Sequence, residues 1–189
     1  MAYCRCVTCR NRTEAETMRL ALYQPDIPQN TGTILRLGAC VNVPVDIIEP
    51  CGFPFSDRSL KRAGMDYLSH VTVVRHLSWE DFLESRLSTE KLRNSRLVLL
   101  TTHASTAYID FAFRPGDTLL LGRESAGVPE TVHEAADARV RIPMALCVRS
   151  LNIAVAAGMV LGEALRQTGL PPFGNNRERA DGAPETPGS

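Results

Sequence analysis

The chain has 189 residues, 44% of them hydrophobic and 22% charged, and its 21 lysines and arginines equal its 21 aspartates and glutamates. A chain of this length and composition buries one substantial core, which argues against two independent domains. Because the net charge is zero, nucleic-acid binding would require a local basic patch. No apolar run reaches the roughly 18 residues that cross a bilayer, since Glu163 and Arg166 interrupt the last one. The composition therefore predicts one globular domain that does not span a membrane.

The two ends of the chain differ in composition from its middle. Three of the six cysteines lie in YCRCVTCR near the start, and no apolar signal segment is present. A thiolate metal site is one interpretation of this segment, but no second ligand pair follows at zinc-finger spacing. We therefore predict a reduced, cytoplasmic protein without a metal, in which residues 1–17 are a disordered or spurious leader and Met18 is an alternative start. Residues 172–189 are polar and rich in glycine and proline, which is typical of a disordered tail.

Between these ends, short β-rich runs alternate with helical patterns. Strands are predicted at 19–24, 45–50, 71–76, 96–102, 117–122 and 138–143, and helices at 31–41, 56–64, 78–87, 129–136 and in the final apolar segment. Strands separated by helices predict an α/β fold over residues 18–171, with a mostly parallel sheet and helices on both faces. Ligands of such sheets bind beyond the carboxyl ends of the strands, so the loops there are the candidates for chemistry.

The first candidate loop is QPDIPQNTG, residues 24–32. Two prolines stiffen the strand exit, and Asn30 or Thr31 can cap a helix that carries Arg36 one to two turns further along. A capped turn followed by a surface arginine explains the pattern without any function. In the functional alternative, the arginine side chain reaches back over the loop.

The second loop, LLLGRESAGVPE, spans residues 119–130. Gly122 and Gly127 bracket a short polar segment whose peptide groups can accept a flat heterocycle and its ribose. The segment lacks the dinucleotide fingerprint G-x-G-x-x-G with its later acidic ribose ligand, which argues against a dinucleotide enzyme. For Glu124, an arginine pair, a ribose contact and a solvated position all remain open.

The third feature is the start of the long final helix, after RIPM and RSLN. Ser150 or Asn152 can cap this helix, which explains both residue types without a function. Beyond the cap, Ala154, Gly158 and Gly162 recur every four residues and leave one helix face almost bare. That face is expected to pack either within the core of its own domain or against a second subunit.

A fourth stretch, DRSLKRAGMDY at 57–67, groups Arg58, Lys61 and Arg62 on a short predicted helix. A solvated helix face is the ordinary explanation for three positive charges. Since only Asp57 and Asp66 lie nearby, contact with phosphate groups is the second interpretation.

The order of these motifs resembles that of one enzyme family. The chain contains, in order, LYQPDIPQNTGTILRLGA, IIEPCGFPFSDRSLKRAGMDY, LTT, LLLGRESAGVPE, RIPM and RSLNIAVAAGMVLGEA, as do the SPOUT-class tRNA 2′-O-methyltransferases of the TrmL (YibK-like) type. The similarity spans about residues 18–171. It implies an α/β fold with a C-terminal trefoil knot, a homodimer, and S-adenosylmethionine-dependent methylation of the ribose 2′-hydroxyl at wobble nucleotide 34 of leucine tRNAs. A SPOUT enzyme acting on another tRNA position or on rRNA is the alternative within the family, and a non-catalytic RNA-binding module is the alternative outside it.

The resemblance also implies roles for individual residues. It puts the cofactor beside Leu100, Gly122, Ile142 and Ser150, and it makes Arg36 the residue that activates the ribose hydroxyl or stabilises its alkoxide. The predicted catalytic set is Arg36, Asn30, Ser150 and Asn152; the cofactor set is Leu100, Gly122, Glu124, Gly127, Ile142 and Ser150; the substrate set is Arg58, Lys61 and Arg62. No metal is required, because a methyl group on a sulfonium is already activated and needs only alignment and proton removal.

Overall fold

A computed structural model describes residues 17–55, 70–88 and 90–169 of the chain. The elements in chain order are β1 (Arg19–Tyr23), α1 (Pro28–Val41), β2 (Val45–Ile48), β3 (Val73–His76), α2 (Trp79–Ser88), α3 (Glu90–Arg93), β4 (Leu97–Leu100), β5 (Thr118–Leu121), α4 (Glu130–Ala135), β6 (Ala138–Val140) and α5 (Ile153–Thr168). All six predicted strands are confirmed, each ending within three residues of its predicted bounds.

The strands form one sheet in the order β3-β2-β1-β5-β4-β6, and every neighbouring pair is parallel. The predicted α/β fold with a mostly parallel sheet is therefore confirmed. Because all strands run the same way, their carboxyl ends meet at one edge of the sheet. Beyond that edge the segment after β6 pairs with the segment after β4, since Tyr108 N donates to Arg141 O and Arg141 N to Thr106 O, both at 2.9 Å. The trefoil knot implied by the resemblance stays a prediction.

Apolar side chains cover both faces of the sheet because they alternate along each strand. Leu20 of β1 points to the face packed by α1 and α5, where it joins a cluster that includes Val160. Its neighbour Ala21 points to the opposite face, which α2 and α4 cover with Phe82 and Val132. Burying a leucine-sized side chain contributes about 1.5–3 kcal/mol. This two-sided burial fixes the central strands and, with them, the loops at the carboxyl edge.

Two buried polar side chains, Asp46 and His76, and the partly buried Arg19 lie on neighbouring strands. Arg19 of β1 donates to both carboxylate oxygens of Asp46 on β2, at 2.8 and 2.9 Å, and His76 Nε2 of β3 lies 2.9 Å from Asp46 Oδ1. Burial raises the pKa of Asp46, but the hydrogen bonds from His76 and Arg19 outweigh it and hold that pKa below its usual range. The charged Asp46 carboxylate therefore links β1, β2 and β3 through hydrogen bonds.

Helix boundaries differ from the predictions at several points. The capping of the first helix by Asn30 or Thr31 is wrong, because α1 begins at Pro28 after Ile27, whose side chain makes no cap hydrogen bond. Proline suits the first helical position, where no N–H is needed and its fixed φ is already helical. Arg36 therefore lies eight residues from the helix start, which is more than two turns rather than one to two. The short helix α3 was not predicted from the sequence.

Some predictions fall outside the described residues. These are the leader over residues 1–16, the helix at 56–64, the basic residues Arg58, Lys61 and Arg62, and the tail over 172–189. In the part of the chain that the structure covers, no helix is both long enough and apolar enough to cross a membrane.

Candidate active site at the carboxyl edge of the sheet

A cavity of about 960 Å³ lies at the carboxyl ends of β4 and β5. Its walls come from the loop after β1, the end of β4, the loop after β5, and the segment that joins β6 to α5. The volume is in the range of sites that hold cofactor-sized molecules. The cavity therefore occupies the position where ligands bind in parallel α/β proteins.

The loop after β5 is closed by its own backbone. Arg123 N donates to Gly127 O and Gly127 N donates to Arg123 O, both at 2.8 Å. A Cβ at Gly122 would lie 2.7 Å from the carbonyl carbon of Gly127, so no side chain fits there without opening the loop. Gly127 has φ +67°, a conformation that favours glycine. Both glycines that the sequence singled out are needed for the shape of this wall.

A chain of hydrogen bonds connects this loop to the start of α5. Asn152 caps α5 by accepting from Ala154 N at 2.9 Å, and its amide donates to Asn30 Oδ1 at 3.0 Å. Asn30 in turn donates to Glu124 Oε1 at 3.1 Å. The other Glu124 oxygen accepts from the backbone N of Asp26 at 2.9 Å. Of the two residues proposed to cap the last helix, Ser150 and Asn152, the structure has Asn152 as the cap. Glu124 holds the loop after β1 by accepting from Asp26 N.

An ion pair ties the same two loops together at the cavity rim. Arg123 Nη2 and Nε donate to Asp26 Oδ1 at 2.8 and 3.2 Å, while Ser125 N donates to Asp26 Oδ2 at 3.2 Å and the Ser125 hydroxyl contacts the same oxygen. The bonds from Arg123 and then from Ser125 hold the pKa of Asp26 below its usual range. The bond to Asp26 correspondingly raises the pKa of Arg123.

The cavity brings together most of the predicted site residues. Eight of them line it: Asn30, Leu100, Gly122, Glu124, Gly127, Ile142, Ser150 and Asn152. Among the described residues, Arg36 does not line the cavity, and it occupies an exposed position on α1. The substrate set cannot be placed, because it belongs to residues that the structure does not describe.

Sequence reasoning missed Asp26, Arg123 and the cavity-lining His133. Asp26 and Arg123 are 97 residues apart, and their pairing depends on β1 lying next to β5 in the sheet. The available signal was that an acidic and a basic residue each follow a predicted strand. His133 lines the cavity from α4, where its Nδ1 lies 3.0 Å from Arg139 Nε.

One face of α5 is open and partly apolar. Val155 is 51% exposed and Met159 is 39% exposed. Nothing in the described part of the chain lies within 4 Å of where a Cβ would stand at Gly158 or Gly162. Ala154, by contrast, packs against the core. The small-residue stripe is therefore divided between the core and an uncovered surface.

These features define an α/β protein with a cofactor-sized cavity at the carboxyl edge of its sheet, between a closed glycine loop and the start of a helix. The chain belongs to the SpoU rRNA Methylase family, whose model matches residues 17–162. It is therefore a methyltransferase by family, and the resemblance drawn from the motifs is confirmed.

Individual relatives agree with this assignment. A tRNA (cytidine(34)-2′-O)-methyltransferase of Beijerinckia indica is 63% identical over 150 residues, which are 79% of this chain and 91% of that protein. The chain is also similar to a solved structure described as giving insights into 2-OH methylation of C/U34 on tRNA, with 41% identity, a TM-score of 0.73 and coverage of 81% and 97% of the two chains. The methyltransferase AviRb of Streptomyces viridochromogenes, solved with AdoMet, is 26% identical with a TM-score of 0.72, over 80% of this chain and 58% of that one.

Proposed function

We propose that this protein transfers a methyl group from S-adenosylmethionine to the ribose 2′-hydroxyl of wobble nucleotide 34 in tRNA, with leucine isoacceptors as substrates. The observation that carries the proposal is the cavity that joins the Gly122 loop to Asn30 and Asn152. It sets a wall suited to a nucleoside cofactor beside two polar side chains, of which Asn30 lies on α1 together with Arg36. The relative that is 63% identical over 150 residues, a tRNA (cytidine(34)-2′-O)-methyltransferase, supports the choice of substrate.

The residues present fit S-adenosylmethionine. Leu100 and Ile142 supply apolar walls for the adenine, and the closed loop from Gly122 to Gly127 presents backbone around it. The close approach of Gly122 to the Gly127 backbone leaves no room for a side chain at position 122. We assign these four residues, together with Ser150 and Glu124, to cofactor binding. When bound, the cofactor supplies a methyl group already activated on its sulfonium.

The remaining residues of the site act on the substrate ribose. Asn30 and Asn152 are joined to each other and to Glu124, so their positions relative to the cofactor wall are fixed. We assign Arg36 to orienting the nucleotide phosphate and stabilising the developing alkoxide, because a guanidinium stays protonated at neutral pH and accepts a proton poorly. Arg36 lies on α1 outside the cavity wall, so the proposal gives it the nucleotide and not the cofactor.

We further propose that the active form is a homodimer. The uncovered face of α5 carries Val155 and Met159, and Leu151 beside it is 40% exposed. Exposed apolar side chains grouped on one helix face are often covered by a partner, and the bare glycines permit close approach of a second helix. Arg58, Lys61 and Arg62 are proposed to contact tRNA phosphates, and a cytoplasmic location is part of the same proposal because tRNA is modified there.

The proposal is tested with purified protein, labelled S-adenosylmethionine and leucine tRNA transcripts. We expect one methyl group per tRNA, and no transfer to a transcript that carries a 2′-deoxynucleotide only at position 34. Transfer that persists in the deoxy transcript would move the site to another tRNA position. Transfer only to rRNA fragments would support the alternative substrate, and S-adenosylmethionine binding without transfer to any RNA would contradict the proposal.

A further inference from the structure

The pair Asp26–Arg123 joins the substrate side of the cavity to its cofactor side. Asp26 lies in the loop that leads to Asn30 and α1, and Arg123 lies in the closed loop after β5. Both carboxylate oxygens of Asp26 are used, one by the Arg123 guanidinium and the other by Ser125. Gln24 Oε1 adds a longer contact to Arg123 Nη1 at 3.4 Å. The loop after β1 is thus attached at its first residues to the loop after β5.

A third loop restrains Asp26 from another direction. A Cβ placed on Gly52 would lie 2.9 Å from Asp26 Oδ1 and 3.0 Å from its Cα. Gly52 N also donates to Pro25 O at 2.9 Å. The loop after β2 therefore packs directly against the aspartate, and Asp26 has little space in which to change its position.

We propose that Asp26 and Arg123 are positioning residues for methyl transfer, which set the distance between the ribose-binding loop and the cofactor loop. The inference rests on the proposed function of the site. Neither residue needs to touch the reacting atoms. Their effect is to hold Asn30 and α1 at a fixed place relative to the methyl donor, so that donor and acceptor are aligned for in-line attack.

The geometry also indicates which kinetic constant the pair controls. The cofactor loop is closed by the two backbone hydrogen bonds between Arg123 and Gly127, which do not involve the ion pair. Loss of the ion pair therefore leaves these backbone bonds in place and loosens the attachment of the cofactor wall to the ribose side. Of the side-chain bonds between the two sides, those that Glu124 accepts from Asp26 N and Asn30 then remain. A misplacement of about 1 Å can reduce a reaction rate by up to roughly 100-fold. We expect kcat to fall by about 10- to 100-fold, with a change of less than about threefold in the Kd for S-adenosylmethionine.

The test compares Asp26→Asn, Arg123→Gln and the double variant with wild type. Asp26→Asn keeps the shape but turns an NH₂ group toward donors on Arg123 or Ser125. Arg123→Gln removes a side chain that is 37% exposed and is expected to fold. If the two residues act as one unit, the double variant loses no more kcat than either single variant.

A matched control separates positioning from stability. Arg96 makes the same kind of two-bond ion pair with Asp117, at 2.9 and 2.7 Å, at the starts of β4 and β5 on the opposite edge of the sheet. We expect Arg96→Gln to lower the melting temperature and to leave kcat unchanged at temperatures where it is folded.

The possible results distinguish failure of the proposed function from failure of the positioning role. Wild-type protein that neither binds S-adenosylmethionine nor methylates tRNA contradicts the proposed function. With an active wild type, kcat within twofold in both single variants overturns the positioning role. The same holds if cofactor affinity is lost first, if the two kcat losses multiply in the double variant, or if Arg96→Gln lowers kcat equally.

Discussion

The side-chain amide of Asn152 donates to the side-chain oxygen Oδ1 of Asn30 at 3.0 Å, although 122 positions separate the two residues in the chain. Asn30 is held from the other side by Glu124, to which it donates at 3.1 Å. The amide of Asn30 therefore has one defined orientation, with its oxygen toward α5 and its nitrogen toward the cofactor loop. The start of α5, the first turn of α1 and the loop after β5 form one polar unit.

Asn152→Asp tests the function of this unit apart from its contribution to stability. The aspartate still caps α5, because its oxygens accept from the same backbone N–H groups. It cannot donate to Asn30, which is then placed between two carboxylates. We expect a melting temperature close to wild type and at least a 10-fold loss of turnover, of the size that loss of a positioned polar group produces.

Asn152→Ala serves as the comparison, since it also removes the cap and costs about 0.5–2 kcal/mol of stability. Thermal unfolding and initial rates of tRNA methylation are measured on both variants. An Asn152→Asp protein with wild-type turnover would show that the hydrogen bond to Asn30 has no part in the reaction.

Substitutions at the two loop glycines should differ in their effect on the affinity for S-adenosylmethionine, with the larger loss at Gly122. Gly122→Val, and to a lesser degree Gly122→Ala, must open the loop because a Cβ there meets the backbone of Gly127. Gly127→Ala meets no atom within 4 Å and costs only the strain of a positive φ, about 1–3 kcal/mol. Calorimetric titration with S-adenosylmethionine should therefore show affinity lost at Gly122 and largely kept at Gly127. Equal losses at both positions would mean that the close approach does not shape the binding wall.

Gly158→Leu tests the proposed interface on α5. The side chain enters open space in one subunit, so the protomer should fold, whereas overpacking against a partner helix costs about 1–3 kcal/mol. Sedimentation should show a shift toward monomer. Glu84→Leu adds the same side chain to an exposed position on α2 and should leave the assembly unchanged. Dimers that persist in Leu variants of Ala154, Gly158 and Gly162 would rule out this face as the interface.

Asp46 gives the stability a predictable dependence on pH. Since its pKa is lower in the folded than in the unfolded protein, its contribution is complete above an unfolded pKa of about 4 and is lost as pH falls through the folded value. Asp46→Ala leaves Arg19 without its buried partner and should cost about 3–5 kcal/mol, whereas Arg75→Ala, in an exposed pair with Glu49, should cost at most about 1 kcal/mol. Urea denaturation of wild type and both variants from pH 7 to 3 measures the pH dependence of stability and the two losses of stability. Acid sensitivity that is the same in wild type and Asp46→Ala would assign it to other groups.

Strand positions could be predicted from the sequence because each strand is a short β-rich run, and the central strands are apolar runs that the sheet buries on both faces. The tight turn of the glycine loop and the helix cap at Asn152 could also be predicted, because glycine and asparagine are typical of these positions. The pairing of Asp26 with Arg123 was not, because it depends on the order of strands in the sheet. The start of α1 was misplaced because proline at the first helical position replaced the expected side-chain cap.

Arg36 lies on α1 outside the cavity wall, and its proposed role concerns the substrate and not the cofactor. If the residue acts on the ribose and phosphate rather than on the cofactor, Arg36→Ala should bind S-adenosylmethionine with unchanged affinity. Turnover should fall by about 100-fold or more. Arg36→Lys should remain impaired, because a point charge does not reproduce the planar guanidinium. Wild-type turnover in Arg36→Ala, or loss of cofactor binding, would contradict the assigned role.

Methylation at nucleotide 34 in the cell is measured by mapping 2′-O-methyl groups on tRNA from cells that lack the gene, restored with wild type or with Arg36→Ala. We expect methylation at nucleotide 34 of leucine tRNAs to be absent in the deletion strain. Wild type should restore it and Arg36→Ala should not, while the other 2′-O-methyl positions in tRNA and rRNA stay unchanged. Methylation at nucleotide 34 that persists without the gene, or a loss confined to another RNA position, would contradict the proposed function.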